Sequence, residues 1–183
     1  MKQPLSELID SYSAEDADEA ASLDQMRTFV RTLADPFSRR QPNAHFTASA
    51  LVVDQVSQRI ALIHHAKLGR WLQPGGHAEP EDGGLMHLTA LREAREETGC
   101  HVSLYRDSSM PIDVDVHLIP ARGGEDAHLH LDLRFLLVAQ DPEALSFDGR
   151  ESLGARWVSF DEALSMIDEA PLRRLILKGR RLS

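Results

Sequence analysis

Alternating apolar and polar positions predict most of the strands in this chain. Residues 46–54 and 59–64 are two largely apolar runs around a short polar connection, which is typical of neighbouring strands. Residues 128–138 alternate over a longer stretch, and residues 154–159 form a last short run. Residues 111–119 alternate as well, with one side formed by Ile112, Val114, Val116 and Leu118 and the other by Asp113, Asp115 and His117. The chain is therefore predicted to be rich in strands.

Apolar residues three and four positions apart predict helices before the first strand. Residues 5–12 and 14–34 follow this spacing, and Ser13 is the predicted N-cap of the second helix. The apolar stripe of that helix comprises Leu23, Met26, Phe29, Val30 and Leu33. We expect residues 1–44 to be an N-terminal helical extension packed on a domain formed by residues 45–183. The alternative is that the extension is a dimerisation arm, which would make the protein a homodimer.

Two helices are predicted near the C-terminal end of the chain. Ser159 and Glu162 fit a capping box that opens a helix over residues 161–169. Pro171 suits the first turn of a last helix. Another helix ends before Gly99, in the middle of the strands. This order of elements predicts an α+β sandwich.

Three glutamates share one face of the helix in the middle of the chain. At about 100° per residue, Glu93, Glu96 and Glu97 fall within an arc of roughly 100°. Leu88 and Leu91 point to the opposite side, where a core is expected. The glutamates repel one another and lie at the C-terminal end of the helix, where the dipole disfavours anions. A hard divalent cation such as Mg²⁺ or Mn²⁺ offsets this repulsion, so the pattern predicts a metal site.

Residues 75–100 resemble the Nudix box. The segment Arg92-Glu-Ala-Arg-Glu-Glu-Thr-Gly-Cys100 matches its second half, in which an Arg-Glu pair precedes two glutamates and a glycine. Gly76 matches the glycine of the first half, but the interval from Gly76 to Arg92 is two residues longer than in the usual box. The sixth residue after Gly76 is an aspartate where the box has a glutamate. The carboxylate that braces Arg92 is therefore open among Glu79, Glu81 and Asp82.

The resemblance implies a fold, a reaction and a metal site. Nudix domains are α/β/α sandwiches with a mixed sheet, and Nudix hydrolases use water to cleave a nucleoside diphosphate linked to another moiety. By that resemblance, Arg92 orients the carboxylates and Glu151 is a candidate general base on a later loop. Glu96 and Glu97 are implied to be catalytic. The implied ligands of Mg²⁺ or Mn²⁺ are Glu93, Glu97, Glu96 and Gly76.

Polar residues beyond the box lie on one side of a predicted strand. His130, Asp132 and Arg134 share that side, and under the Nudix interpretation they line the substrate cleft. His77, beside the Gly-Gly turn, is the histidine best placed to contact a phosphate. The spacing His128-x-His130-x-Asp132 also resembles the zinc motif of metallo-β-lactamase-like hydrolases, but no histidine follows the aspartate. A plain polar sheet face is a third interpretation.

Composition excludes several classes of function. A net charge of −9 argues against broad nucleic-acid binding. The one basic concentration lies in the last helix, where cations suit the dipole, and we expect a solvated end there. The single cysteine, Cys100, cannot form an internal disulfide, and no apolar leader or membrane-spanning window is visible. We therefore expect a cytoplasmic protein, and the Nudix resemblance implies that it acts on a small-molecule nucleotide or diphosphate.

The identity of the substrate is left open by the sequence. Positions 114–116 carry neither the proline nor the tyrosine that marks the ADP-ribose and dinucleoside-polyphosphate subgroups. The fold also serves isopentenyl diphosphate isomerases, which use a cysteine, but Cys100 is better explained as a small core residue. A non-catalytic Nudix-fold nucleotide-binding module is the second interpretation. The intact glutamates argue against it, because a sensor does not need three mutually repelling carboxylates.

Overall fold

Five α-helices and eight strands make up the regular structure of the part of the chain that can be described. The computed structural model describes residues 2–122, 124, 126–147, 149 and 152–183. Its helices are α1 (Lys2–Ser11), α2 (Ala17–Thr32), α3 (Met86–Thr98), α4 (Phe160–Met166) and α5 (Ala170–Leu182). Its strands are β1 (Ala44–Asp54), β2 (Arg59–His65), β3 (Arg70–Leu72), β4 (Gly75–His77), β5 (Val102–Leu104), β6 (Asp113–Ile119), β7 (His128–Ala139) and β8 (Ser152–Ser159).

One mixed sheet contains these eight strands of the described residues. β3, β2, β1, β7 and β5 follow one another across the sheet, while β4 pairs with β1, β6 with β7 and β8 with β2. β1 and β7 are parallel, with His45 opposite His130 and Ser49 opposite Arg134. The other pairs are antiparallel. Because side chains alternate along a strand, the odd-numbered residues of β1 share a face with the even-numbered residues of β7.

Helices cover both faces of this sheet. Phe46 and Ala50 of β1 belong to a core shared with Ala90 of α3 and Met26 of α2. On the opposite face, Leu51 and Val53 pack into a second core with α4 and α5. The predicted α+β class and α/β/α layering are confirmed. Near the start of β1 and β7, the same opposite face carries polar residues and remains open as a cleft.

The boundaries of two predicted helices are shifted. The predicted N-cap Ser13 lies outside α2, which begins at Ala17 because the Asp16 carboxylate accepts a hydrogen bond from the Glu19 N–H at 2.8 Å. Asp16 is the better cap, since its charge also suits the positive end of the helix dipole. At α4 the predicted cap is present, and the Ser159 hydroxyl accepts from the Glu162 N–H. The sequence predicted that α4 extends to residue 169, but the helix ends at Met166 because the backbone of the next residue, Ile167, is extended.

The orientation of α3 differs from the prediction. Leu88 is 37% exposed and Leu91 only partly buried, whereas Ala90 and Ala94 lie in the core. Small residues allow the helix to approach β1 closely. The helix is therefore turned so that its glutamate face meets the edge strand β4, instead of pointing directly away from the sheet.

The basic C-terminal helix is solvated only in part, because Arg180 and Arg181 are exposed as expected but Lys178 and Arg174 are not. Lys178 is only 2% exposed and contacts the Glu19 carboxylate of α2. Arg174 is largely buried and donates hydrogen bonds to the Asp113 carboxylate of β6. The dipole argument failed because these cations have buried acidic partners on distant elements. None of the described helices combines the length and apolar composition that a membrane crossing requires.

Candidate active site

A polar cleft of about 520 Å³ brings together most of the residues singled out from the sequence. α3, β4, β1 and β7 supply its walls, and the exposed cations Arg39 and Lys67 also line it. Arg134 does not line the cleft, and Glu151 is outside the described residues. The sequence-predicted site residues that line the cleft are Gly76, His77, Arg92, Glu93, Glu96, Glu97, His130 and Asp132.

Arg92 is held by the carboxylate that the sequence left open. Asp82 accepts two hydrogen bonds from Arg92, from Nη2 at 2.9 Å and from Nε at 3.2 Å. Asp82 also accepts from the Thr89 hydroxyl and from the Glu79 N–H, each at 2.9 Å. Burial alone would raise the pKa of Asp82, but the bonds from Arg92 and Glu79 outweigh it and lower the pKa. Of the three candidates, the brace is Asp82.

The two extra residues of the box form a turn between Asp82 and α3. Pro80–Asp82 is a short 3-10 turn, and Gly83 and Gly84 follow it with φ of 62° and 78°. Glycine adopts this left-handed backbone without the steric cost that a side chain brings. The two additional residues are accommodated in this turn, so Asp82 still contacts Arg92.

The three glutamates differ in their surroundings. Glu93 is 15% exposed, and burial raises its pKa against the opposing pull of Arg92. The Glu97 carboxylate accepts a hydrogen bond from the Gly75 N–H at 2.9 Å. Glu96 is 59% exposed and lies 3.3 Å from Arg92 Nη1. Each occupies a different depth along one wall of the cleft.

Close approach to this glutamate wall requires glycine in β4. A Cβ atom on Gly76 would lie 2.6 Å from Glu93 Cδ and 2.7 Å from both of its carboxylate oxygens. A Cβ on Gly75 would lie 2.3 Å from Ser49 Cβ. The Gly-Gly pair therefore lets the backbone of β4 lie between β1 and the glutamates.

One cation, Arg92, is shared by several carboxylates of this wall among the described residues. Arg92 is shared among Asp82, Glu93 and Glu96, and Glu97 is held by a backbone N–H. Three carboxylates, those of Asp82, Glu93 and Glu96, thus contact one guanidinium. Carboxylate oxygens and a nearby backbone are the donors that Mg²⁺ and Mn²⁺ prefer, so the residues present fit a hard divalent cation.

Asp132 and Arg134 belong to a buried polar layer that borders the cleft. Asp132 accepts from the hydroxyls of Thr47 at 3.0 Å and Ser49 at 2.7 Å. Arg134 Nε donates to the same carboxylate at 3.0 Å. With its Oδ atoms occupied in this way, Asp132 borders the cleft as part of its floor.

Arg134 cannot make the substrate contact expected from its strand position. It is 4% exposed, and its nitrogens bond to Asp113 at 3.2 Å, Asp115 at 3.0 Å and Asp132 at 3.0 Å. The neighbouring strand β6 supplies two of these carboxylates, those of Asp113 and Asp115. The alternating pattern of β6 placed both aspartates on one side of the strand but did not predict a cationic partner for them. The arginine therefore joins β6 to β7 and, through the Pro171 carbonyl, to α5.

Histidines from four strands gather beside this layer. The His130 ring lies 4.8 Å from His45, 5.1 Å from His77, 5.3 Å from His128 and 5.6 Å from His117, measured between ring centroids. Burial, reinforced by the neighbouring histidines, lowers the pKa of His45 to about 4 and that of His130 to about 2. The rings of His45 and His130 are therefore neutral at pH 7.

His45 is the member of this group that the sequence did not single out. It pairs with His130 across the parallel strands β1 and β7, which are distant in the sequence. No local pattern connects the two, and only the parallel pairing of these strands could have predicted their contact. The spacing His128-x-His130-x-Asp132 is present, but the histidines meet His45 while Asp132 is bonded elsewhere.

Comparisons with known proteins agree with the geometry. A probable DHNTP pyrophosphohydrolase of Lactococcus lactis is 33% identical over 105 residues, which cover 56% of this chain and 59% of that protein. The solved E. coli dihydroneopterin triphosphate pyrophosphohydrolase has a TM-score of 0.57 at 14% identity, covering 75% of this chain and 96% of that one. A C. elegans Ap4A hydrolase binary complex has a TM-score of 0.53 at 18% identity, covering 73% and 93%.

A profile match that spans most of the chain identifies the family to which this protein belongs. The two solved structures share the fold, and the alignment with the curated relative spans about 59% of its length. The NUDIX domain profile matches residues 44–178, which include β1, the braced Arg92 and the whole glutamate wall. The resemblance read from the box is confirmed, and the chain belongs to the NUDIX domain family.

Proposed function

We propose that this protein is a Mg²⁺- or Mn²⁺-dependent pyrophosphohydrolase that cleaves a diphosphate linkage in a nucleotide-like triphosphate. The observation that carries the proposal is the excess negative charge of the glutamate wall beside the cleft. Glu93 is held there in a largely buried position although burial raises its pKa. Such an arrangement costs stability in the metal-free protein and is explained by a cation that joins the wall to a substrate of the same charge.

The residues that would hold the cation are those with oxygen donors on the wall. Glu93 and Glu97 are the principal ligands in this proposal, with Glu96 and the Gly76 carbonyl beside them. A bound divalent cation polarises a phosphoryl oxygen, neutralises developing charge and lowers the pKa of bound water.

The chain itself supplies orientation and charge. Arg92 fixes Glu93 at 2.9 Å and is itself fixed by Asp82, so the carboxylate geometry exists before substrate arrives. Arg39 and Lys67 line the cleft and face the charge of a polyphosphate. The most exposed glutamate of the wall, Glu96, is our candidate for accepting the proton of the attacking water. Glu151 stays a second candidate.

A pterin triphosphate is the first substrate to test. The curated relative is described as a probable DHNTP pyrophosphohydrolase. One structural neighbour is a dihydroneopterin triphosphate pyrophosphohydrolase. Its structural similarity to this chain supports the proposal only in that the two proteins share a fold. Water would add to phosphorus, and inorganic pyrophosphate would leave as the second product.

The experiment is a metal-dependent screen for release of pyrophosphate or phosphate. Dihydroneopterin triphosphate, the common nucleoside triphosphates, ADP-ribose and a dinucleoside polyphosphate are each incubated with Mg²⁺, with Mn²⁺ or with a chelator, and the products are separated by chromatography. We expect hydrolysis with metal only, and highest kcat/KM for the pterin triphosphate. Tight binding by calorimetry without hydrolysis of any substrate would instead establish the non-catalytic binding module. Equal turnover in chelator would overturn the metal-dependent assignment.

A further inference from the structure

Three histidines outside the glutamate wall are arranged as a potential metal site. His45 of β1 and His128 and His130 of β7 each offer one ring nitrogen, and these three atoms all lie within 4.8 Å of one another. His45 and His130 are direct partners in the parallel register, and His128 precedes His130 on the same side of β7. The arrangement is built from the two central strands and not from mobile loops.

His45 carries an independent indication of a ligand. It is 1% exposed, and neither Nδ1 nor Nε2 has a hydrogen-bond partner among the described residues. Buried polar atoms in folded proteins are almost always satisfied, and an orphan imidazole is costly. Coordination of a cation by one of these nitrogens would remove that cost.

His128 shows the outer contact that metal-binding histidines commonly have. Its Nδ1 lies 2.9 Å from the Asp126 carbonyl oxygen, which can only accept a hydrogen bond. The ring therefore donates through Nδ1–H, and the lone pair of Nε2 is left for another partner. A fixed tautomer of this kind orients a ligand before the cation arrives.

We propose that His45, His128 and His130 form a second metal site, selective for a nitrogen-preferring divalent cation such as Zn²⁺, Co²⁺ or Ni²⁺. Imidazole nitrogens suit these cations, whereas carboxylate and phosphate oxygens suit Mg²⁺ and Mn²⁺. The two donor sets would therefore bind different cations in one protein. His130 also lines the cleft, so a cation at the histidine site lies at the border of the substrate-binding space.

The geometry requires only small side-chain movements. Zinc–nitrogen bonds of about 2.0–2.1 Å in a tetrahedral site place ligand atoms about 3.4 Å apart. The nitrogens, within 4.8 Å of one another, would move inward by about 1 Å each. Three protein ligands leave a fourth position open, and the His77 ring, 5.1 Å from the rings of both His45 and His130, is the nearest further imidazole.

The proposed ligand set differs from the zinc motif suggested by spacing alone. Asp132 is not available as a ligand, because Thr47, Ser49 and Arg134 all bond to its carboxylate. His45 takes the place that the aspartate has in that motif. The site is thus a three-histidine set formed by tertiary structure, and no hydrolase activity follows from it.

The test is a Co²⁺ titration in the presence of saturating Mg²⁺. Mg²⁺ fills the glutamate wall and does not compete for imidazole, and Co²⁺ in a nitrogen-rich tetrahedral site absorbs visible light. We expect one equivalent of Co²⁺ with such absorption. His45→Phe and His128→Ala should each weaken binding by at least tenfold, since even the loss of an outer-shell partner has effects of about 10- to 100-fold.

Two control variants separate this site from others. His87→Gln changes a partly buried histidine of α3 outside the group and should leave the titration unchanged. Glu97→Gln alters the glutamate wall and should also leave it unchanged. Circular dichroism checks folding, and His128→Ala, at a partly exposed position, keeps the test decisive if His45→Phe does not fold. Any of three results would overturn the proposal. These are that the wild type does not bind Co²⁺, that His128→Ala binds Co²⁺ as tightly as the wild type, or that Glu97→Gln no longer binds it. Because the readout is not hydrolysis, its failure is distinct from failure of the proposed activity.

Discussion

Lys178 Nζ of α5 lies 2.5 Å from Glu19 Oε1 of α2, and both side chains are almost completely buried. The Tyr12 hydroxyl lies 2.5 Å from the same carboxylate oxygen and 3.0 Å from the Ile112 carbonyl. Asp113 of β6 lies 3.3 Å from Lys178. The N-terminal helices are therefore joined to the last helix and to the sheet by buried charges, in addition to the apolar core.

Removal of Lys178 should be strongly destabilising. Lys178→Met leaves the Glu19 carboxylate buried without its cation, which typically costs about 3–5 kcal/mol in the free energy of unfolding. The double variant Glu19→Leu/Lys178→Met should recover only part of this loss, because no unpaired charge remains between the helices but the Tyr12 hydroxyl and the Glu15 N–H lose their acceptor. Denaturant unfolding of the two variants and the wild type measures both effects.

Arg181→Ala provides the matched control for the buried pair. Arg181 contacts Glu15, but both side chains are more than half exposed, so its loss should change stability little. If Lys178→Met were no more destabilising than Arg181→Ala, the buried pair would not be what joins α2 to α5.

Asp82 should make stability depend on pH in the acid range. Its pKa is lowered in the folded protein, so the carboxylate stabilises the fold above its unfolded pKa of about 3.9. That contribution is lost as the pH falls through the lower folded value. Asp82→Asn should cost about 1.5–3 kcal/mol near neutral pH, as expected for hydrogen bonds to a charged group. The difference from wild type should narrow steadily below pH of about 4 in urea unfolding experiments.

A constant difference between wild type and Asp82→Asn across this pH range would contradict the assignment of Asp82 as the brace. Glu81→Gln is the control, because Glu81 was an equal candidate from the sequence but is exposed in the structure. We expect no change in the acid profile of that variant.

The strands and the glutamate wall could be predicted because their signals are local. Alternation over residues 128–138 located β7, and the helical spacing of the glutamates placed them on one face. The rotation of α3 could not be predicted in the same way. Leu88 is more apolar than Ala90, but small side chains allow the close packing that buries Ala90 and exposes Leu88.

The other errors concern partners that are distant in the sequence. Lys178 looked solvated because its neighbours along α5 include other cations, whereas its partner Glu19 is 159 positions away. Arg134 looked like a cleft residue because strand alternation gives the side of a strand, but not whether that side is open or covered. The parallel pairing of β1 with β7 brings His45 to His130, and local patterns carry no information about such pairing.

Gly76→Ala should weaken the metal response without unfolding the protein. The added Cβ would lie 2.6 Å from Glu93 Cδ, so the carboxylate must move away. The obstructing atoms are the far end of a side chain, and the fold can therefore adjust. We expect the rise in melting temperature on addition of Mg²⁺ or Mn²⁺ to be reduced or lost, since a ligand stabilises the state that binds it. Gly154→Ala, whose Cβ would meet only Trp71 at 3.9 Å, is the control.

An unchanged metal response in Gly76→Ala would show that the cation does not depend on the position of Glu93. Loss of the fold in metal-free Gly76→Ala would also count against this account, since it would mean that β4 itself cannot accommodate the methyl group. Calorimetry with and without chelator distinguishes these results.

Neutralising Glu97 should separate stability from activity. Its carboxylate accepts the Gly75 N–H at 2.9 Å, and the amide oxygen of Glu97→Gln can accept the same hydrogen bond. The variant also removes an anion from the C-terminal end of α3, where its charge opposes the helix dipole by a few tenths to about 1 kcal/mol. The metal-free variant should therefore be as stable as the wild type, or slightly more stable, in denaturant unfolding.

The activity of Glu97→Gln should change in the opposite way. The kcat/KM of this variant on the best diphosphate substrate should fall about a hundredfold or more, because several kcal/mol of transition-state stabilisation depend on the cation. Glu81→Gln, an exposed glutamate of the same box, should keep both properties unchanged. Clear destabilisation of Glu97→Gln together with near-normal turnover would instead identify Glu97 as a structural acceptor for β4, and the catalytic cation would have to be held elsewhere.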